Sequence, residues 1–106
     1  GRAPVFATPA MVALIEAAAV DCVESVLAEG QETLGIHIDV EHIAATPIGM
    51  HVTAHAALVA RDGRKLTFAV EARDERDLIG RGKHTRIIVD SARFRAKTQA
   101  KLQSKA

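Results

Sequence analysis

Thr8-Pro-Ala-Met-Val-Ala-Leu-Ile-Glu-Ala-Ala-Ala-Val20 is the stretch that decides the fold. Thr8-Pro9 reads as a helix start, because threonine can cap free amides and proline at the first helical position loses no needed donor. Apolar positions then run through Met11, Val12, Leu14, Ile15, Val20, Val23, Val26 and Leu27, and polar residues appear only late, as Asp21, Glu24 and Ser25. With Gly30 as the stop, the helix spans about 21 residues, roughly 31 Å. Its first half is apolar nearly all round, so it is expected to lie against a sheet or a partner. Within residues 10–20 one side chain is polar, the carboxylate of Glu16, and Val12, Ala13, Ala19 and Val20 surround it at helical spacing. Glutamates are almost never fully buried unless paired. Desolvation raises a carboxyl pKa unless a hydrogen bond or a cation offsets it. Glu16 is therefore either a packing error or a working group.

Beyond the helix the pattern changes to period two. Ile36, Ile38 and Val40 share one strand face, with His37, Asp39 and Glu41 opposite, and the same count puts His42 on the Ile36 face. Thr46-Pro-Ile-Gly49 makes a turn, and residues 50–61 form a second strand with Val52, Ala54, Ala56 and Leu58 on one side. Asp62-Gly63 is a hairpin signal leading into a third strand over residues 64–73. Residues 74–77 are a charged loop, and residues 78–89 a fourth strand. One helix followed by four sequential antiparallel strands is an α+β arrangement, a meander sheet wrapped on a helix. After Ser91 come Arg93, Arg95, Lys97, Lys101 and Lys105 with no acid among them. Residues 92–106 thus read as a basic tail or terminal helix, or as an edge that attracts the phosphates of a nucleotide-bearing ligand.

The chain has 106 residues, 48% hydrophobic and 25% charged, which fits one domain over residues 1–106 with a modest core. Three Phe and no Tyr or Trp leave no stacking platform for bases, and a net charge of +1 gives no overall drive toward nucleic acid or an anionic membrane. No apolar run reaches the roughly 18 residues of a membrane span, and no leader pattern is present, so a cytoplasmic protein is expected. A single cysteine, Cys22, excludes an internal disulfide and fits a reducing compartment. Inside the apolar helix it reads as a packed structural thiol. The chain opens on Gly1-Arg-Ala-Pro4 almost directly into the helix, so a first strand before Gly1 is an expectation.

Five histidines raise the question of a metal, and their spacing opposes one. His51 and His55 share a strand face but lie about 13 Å apart along it. His37 and His42 point to opposite faces, and no His-Glu-x-x-His pair exists. His42 stands apart because its face would pack on the helix, toward Glu16. A carboxylate orients an imidazole and raises its basicity, so the pair is a candidate general base. Thr8 supplies a hydroxyl at the helix start, where free amides can also stabilise an oxyanion. Thr8 and Glu16 are roughly 12 Å apart along one straight helix and cannot touch. Either Thr8 folds back before the helix begins, or the site combines Thr8 and Glu16 from two subunits.

The motifs Val5-Phe-Ala-Thr8, Met11-Val-Ala-Leu-Ile-Glu16, Leu34-Gly35, His42-Ile-Ala-Ala-Thr-Pro47 and Gly82-Lys-His-Thr-Arg86 stand in gap-free spacing over about residues 5–90. Together they resemble the fluoroacetyl-CoA thioesterase family of the hotdog fold. The resemblance implies a homodimer with the active site at its interface, hydrolysing a small acyl-CoA thioester with no metal or cofactor other than the coenzyme A of the substrate. It implies catalytic roles for Thr8, Glu16 and His42, with Gly35 meeting the substrate near its carbonyl and Arg86 near the acyl end. In the family, fluorine selectivity is linked to phenylalanines in a lid just before the Val5 position, where this chain has Gly1-Arg-Ala-Pro4. A non-catalytic module that binds acyl-CoA or an acyl group is the alternative on the same fold. A hotdog enoyl-CoA hydratase is a third, which would need a second acid–base pair.

Overall fold

A computed structural model of the protein describes residues 5–103. Gly1-Arg-Ala-Pro4, the stretch that the resemblance sets against a lid, and Lys105 of the basic tail lie outside the described residues. The elements are α1 (Thr8–Glu24), β1 (Gln31–His42), β2 (Thr53–Asp62), β3 (Lys65–Arg73), β4 (Leu78–Asp90) and α2 (Ser91–Gln103).

Helix α1 buries Met11, Ile15, Ala19 and Val23, a four-residue spacing that keeps them on one narrow stripe. They pack against Phe68, Val70, Ala72 and Ile79 on the sheet, and this contact is the centre of the core. The helix is 17 residues long, shorter than the sequence suggests. It stops at a Ser25 whose amide donates to the Val23 carbonyl, and Val26, off the buried stripe, lies exposed. Nor is the first half covered all round: Ala13, Leu14, Ala17 and Val20 face outward in the single chain. Cys22 is exposed too, contrary to the packed thiol expected, because it falls one residue short of Val23 on the stripe.

The sheet order is β1-β4-β3-β2. β2, β3 and β4 form a consecutive antiparallel meander, but β1 does not lie beside β2 as a four-strand meander requires. Residues 43–52 are too long for a tight hairpin and instead carry the chain across to the opposite edge. That crossing is held to the start of α1, where the Phe6 amide donates to the Thr46 carbonyl and Val5 bridges to Pro47. Along the β1–β4 ladder Gly35 faces Arg86 while His37 faces Thr85, so Ile36 is the extra residue of a β-bulge. The bulge removes Ile36, 54% exposed, from the face it was assigned to. Thr33, Gly35, Ile38, Val40 and His42 line the helix-facing side instead. Gly80 lets the helix come close, since a Cβ there would overlap the Met11 Sδ.

Asp74 organises the β3–β4 turn. Its Oδ1 accepts the amides of Arg76 and Asp77, and its Oδ2 accepts the hydroxyl of buried Thr46. The two backbone amides, chiefly, hold its carboxyl below the ordinary value of 3.8. A depressed carboxyl contributes stability that is fully present above its unfolded pKa and is lost as pH falls through the folded one. Wild type is therefore expected to lose thermal stability below about pH 3.8 more steeply than Asp74→Ala, and melting curves of both proteins across that range check it. At the far end of the sheet Asp90 Oδ1 accepts the Arg93 amide and Ser91 donates to Glu32 Oε2, which seats α2 although it buries no residue. No helix among the described residues is long and apolar enough to cross a membrane.

Candidate active site

Thr8 does not cap α1. Ala7 occupies the cap position and Thr8 is the first helical residue, with no side-chain cap bond. Its hydroxyl instead lies 2.8 Å from Nδ1 of His42, brought there by the end of β1. The other ring nitrogen of His42, Nε2, is buried and has no hydrogen-bond partner among the described residues. Phe6, Thr8, Pro9, His42 and Ile43 line a concavity over this pair. Ala10 and Met11 both donate to the Ala7 carbonyl and Pro9 has no N–H. The Thr8 amide is left as the helix-start donor with no partner among the described residues. Such an arrangement can pass a proton from a hydroxyl to imidazole and present one backbone donor to an oxyanion.

Glu16 sits elsewhere, against the first half of β1. It is half-buried and its carboxylate makes no hydrogen bond or ion pair among the described residues. It faces Gly35: a Cβ on Gly35 would lie 3.5 Å from Glu16 Oε1, 3.2 Å from Arg86 Nη1 and 3.1 Å from His84 Cε1. The missing Cβ thus leaves a methyl-sized polar notch between an anion and a cation. Arg86 is buried, and three hydrogen bonds fix its guanidinium. Nε donates to Thr33 Oγ1 at 2.8 Å, Nη2 to the Thr33 carbonyl at 2.8 Å, and Nη1 to His84 Nε2 at 3.1 Å. Burial pushes the guanidinium pKa down and the Glu16 charge pushes it back up. Arginine stays charged regardless, so Arg86 is the cation that the apolar surroundings of Glu16 in sequence left unassigned.

The five expected residues therefore form two half-sites within one chain, Thr8 with His42 and Glu16 with Gly35 and Arg86. The expected His42–Glu16 contact does not form. Thr8 and Glu16 lie on the same helix, about 12 Å apart, and Gly35 and His42 are about 20 Å apart along β1. Thr8 belongs to the helix proper, so it does not fold back to close the gap. His84 and Thr33 went unnoticed in the sequence, although His84 stands two residues before Arg86 on the same strand face. Among the described residues no group of three or more His, Cys, Asp or Glu could hold a metal ion. Gly35→Ala is expected to push Arg86 and His84 aside, since its Cβ would lie 3.2 Å and 3.1 Å from them, and to lower the melting temperature, which a thermal melt checks.

The model of the family described as fluoroacetyl-CoA-specific thioesterase matches residues 1–92. The chain belongs to that family. It is 43% identical over 97 residues to the fluoroacetyl-CoA thioesterase of Streptantibioticus cattleyicolor, covering 92% of this chain and 70% of that protein. A solved variant of a fluoroacetyl-CoA thioesterase in complex with acetyl-CoA superposes with a TM-score of 0.90 at 41% identity, over 94% of this chain and 75% of that one. A Thermus thermophilus member of the thioesterase superfamily gives a TM-score of 0.90 at 32% identity, over 95% and 74% of the two chains. The family's hotdog architecture is the α+β fold described above, with α1 lying across the antiparallel sheet.

Proposed function

We propose that this fluoroacetyl-CoA thioesterase family member is an acyl-CoA thioesterase that hydrolyses a small acyl-CoA to the free acid and coenzyme A. It works as a homodimer in the cytoplasm, each active site built from both copies, and without a metal or prosthetic group. The observation that carries the reading is the Thr8–His42 contact with its unpartnered Nε2. It is half of a hydrolytic site, and the other half stands on the same helix out of its reach.

A second copy of the chain supplies the missing half. Among the described residues the outer edge of β1 has no strand beside it, and exposed Ile36, Ala13 and Val20 flank it. Two copies paired antiparallel through β1, centred near Ile38 and Asp39, place His42 of one copy beside Gly35 and Glu16 of the other. The apolar side of α1 is then covered, as its sequence requires. His42 takes a proton from Thr8 or from a water as oxygen attacks the thioester carbonyl. The Gly35 and Thr8 amides receive the oxyanion, the C–S bond breaks, and the thiolate of coenzyme A leaves with the proton from His42. An acyl group left on Thr8 is then cleaved by a water that His42 deprotonates, the threonine oxygen regaining that proton as the free acid departs. A second route has the Glu16 carboxylate attack first and a water resolve the mixed anhydride. The small notch at Gly35 favours a short acyl group.

Thiol release from acetyl-, fluoroacetyl-, propionyl- and hexanoyl-CoA tests the proposal. Turnover is expected, falling with acyl length. Tight binding of every acyl-CoA with no thiol released would replace the enzyme by a binding module.

A further inference from the structure

His84 is 1% exposed, yet it is a polar residue in the middle of the core. It stands on β4 opposite Ile38 of β1 and Phe68 of β3, and its ring stacks on Phe68 with centroids 6.3 Å apart. An aromatic hydrocarbon would fill that space without polar atoms to satisfy. Both ring nitrogens are engaged: Nδ1 is 2.8 Å from the His37 carbonyl and Nε2 is 3.1 Å from Arg86 Nη1. A carbonyl can only accept and a guanidinium can only donate. These partners match the tautomer with its proton on Nδ1 and its lone pair on Nε2 turned to the arginine.

Arg86 has five N–H groups, and Thr33 takes the Nε and one Nη2 proton. Thr33 alone leaves the Nη1 corner unheld. His84 holds it, at the wall of the notch where Gly35 lacks a Cβ and Glu16 faces it. We propose that His84 is a positioning residue for thioester hydrolysis: its Nε2 lone pair fixes the Arg86 guanidinium against the Gly35–Glu16 notch, where negative charge develops in the reaction. Its effect runs through Arg86, and the proposal rests on the thioesterase reading above.

Two substitutions separate this role from simple core filling. His84→Gln can reach the Nε2 position and offer Arg86 an acceptor, whereas His84→Asn reaches only the Nδ1 position and keeps the bond to the His37 carbonyl. The expected result is a kcat at least tenfold higher for the His84→Gln protein than for the His84→Asn protein, with KM values within about threefold of each other. In an Arg86→Gln background the difference is expected to fall below about twofold, since coupled residues do not add. His84→Phe keeps the stacking volume without an acceptor, and its kcat is read against that of His84→Gln if His84→Asn does not fold. Equal kcat for acceptor and acceptor-free variants, or a difference that persists without Arg86, would overturn the positioning role while wild-type turnover stands. Absence of thiol release by the wild-type protein would overturn the thioesterase reading itself and this role with it.

Discussion

Glu16→Gln is expected to lower kcat for acetyl-CoA hydrolysis by about a thousandfold, within the range that loss of a general base or nucleophile produces. The substitution keeps the shape of the side chain and removes its charge. Within the chain that carboxylate bonds to nothing among the described residues, and its half-buried position lets an amide find water. The melting temperature is therefore expected to move by no more than a few degrees. What changes is the anion opposite Arg86, which in the proposed mechanism either orients the base of the second copy or attacks the thioester itself. A Glu16→Gln protein that retains kcat within about tenfold of wild type would remove Glu16 from the chemistry. Loss of both fold and activity would make it a structural residue.

His42→Ala is expected to cost about a hundredfold to ten-thousandfold in kcat, by taking away the acceptor 2.8 Å from the Thr8 hydroxyl. In the proposed dimer, loss of the ring volume and of its approach to Glu16 of the second copy is expected to lower the melting temperature by a few degrees. Thiol-release kinetics and a thermal melt on one preparation check both halves. Full activity would leave the Thr8–His42 contact as a helix-end tether.

The apolar helix and the strands on either side of Asp62-Gly63 are legible because each follows the period of its own element, but an all-round apolar run does not single out the buried stripe Met11, Ile15, Ala19 and Val23. The edge position of β1 is not legible, because strand order depends on partners distant in the chain and a long connection allows either side. Ile36 is misplaced by the sequence pattern for a related reason: an unbroken period-two count passes straight through a bulge that the β4 pairing creates. Thr8 looks like a cap in any sequence, and its bond to His42 depends on a residue 34 positions away. His84 is hidden in the same way, its defining partner being a backbone carbonyl 47 positions distant. Thr8, Glu16 and His42 are legible from helix and strand position, and Gly35 and Arg86 only through the family resemblance. Their division into two half-sites requires the straightness of α1 and the length of β1.

Mixing two inactive proteins tests that division most directly. Glu16→Gln and His42→Ala subunits, combined in equal amounts and allowed to exchange, form mixed dimers that pair one intact Thr8–His42 half with one intact Glu16 half. With half the dimers mixed and one of two sites intact in each, recovery of about a quarter of wild-type kcat is expected. Activity that stays at the level of the separate variants, in a sample shown to contain mixed dimers, would contradict a site shared between two copies.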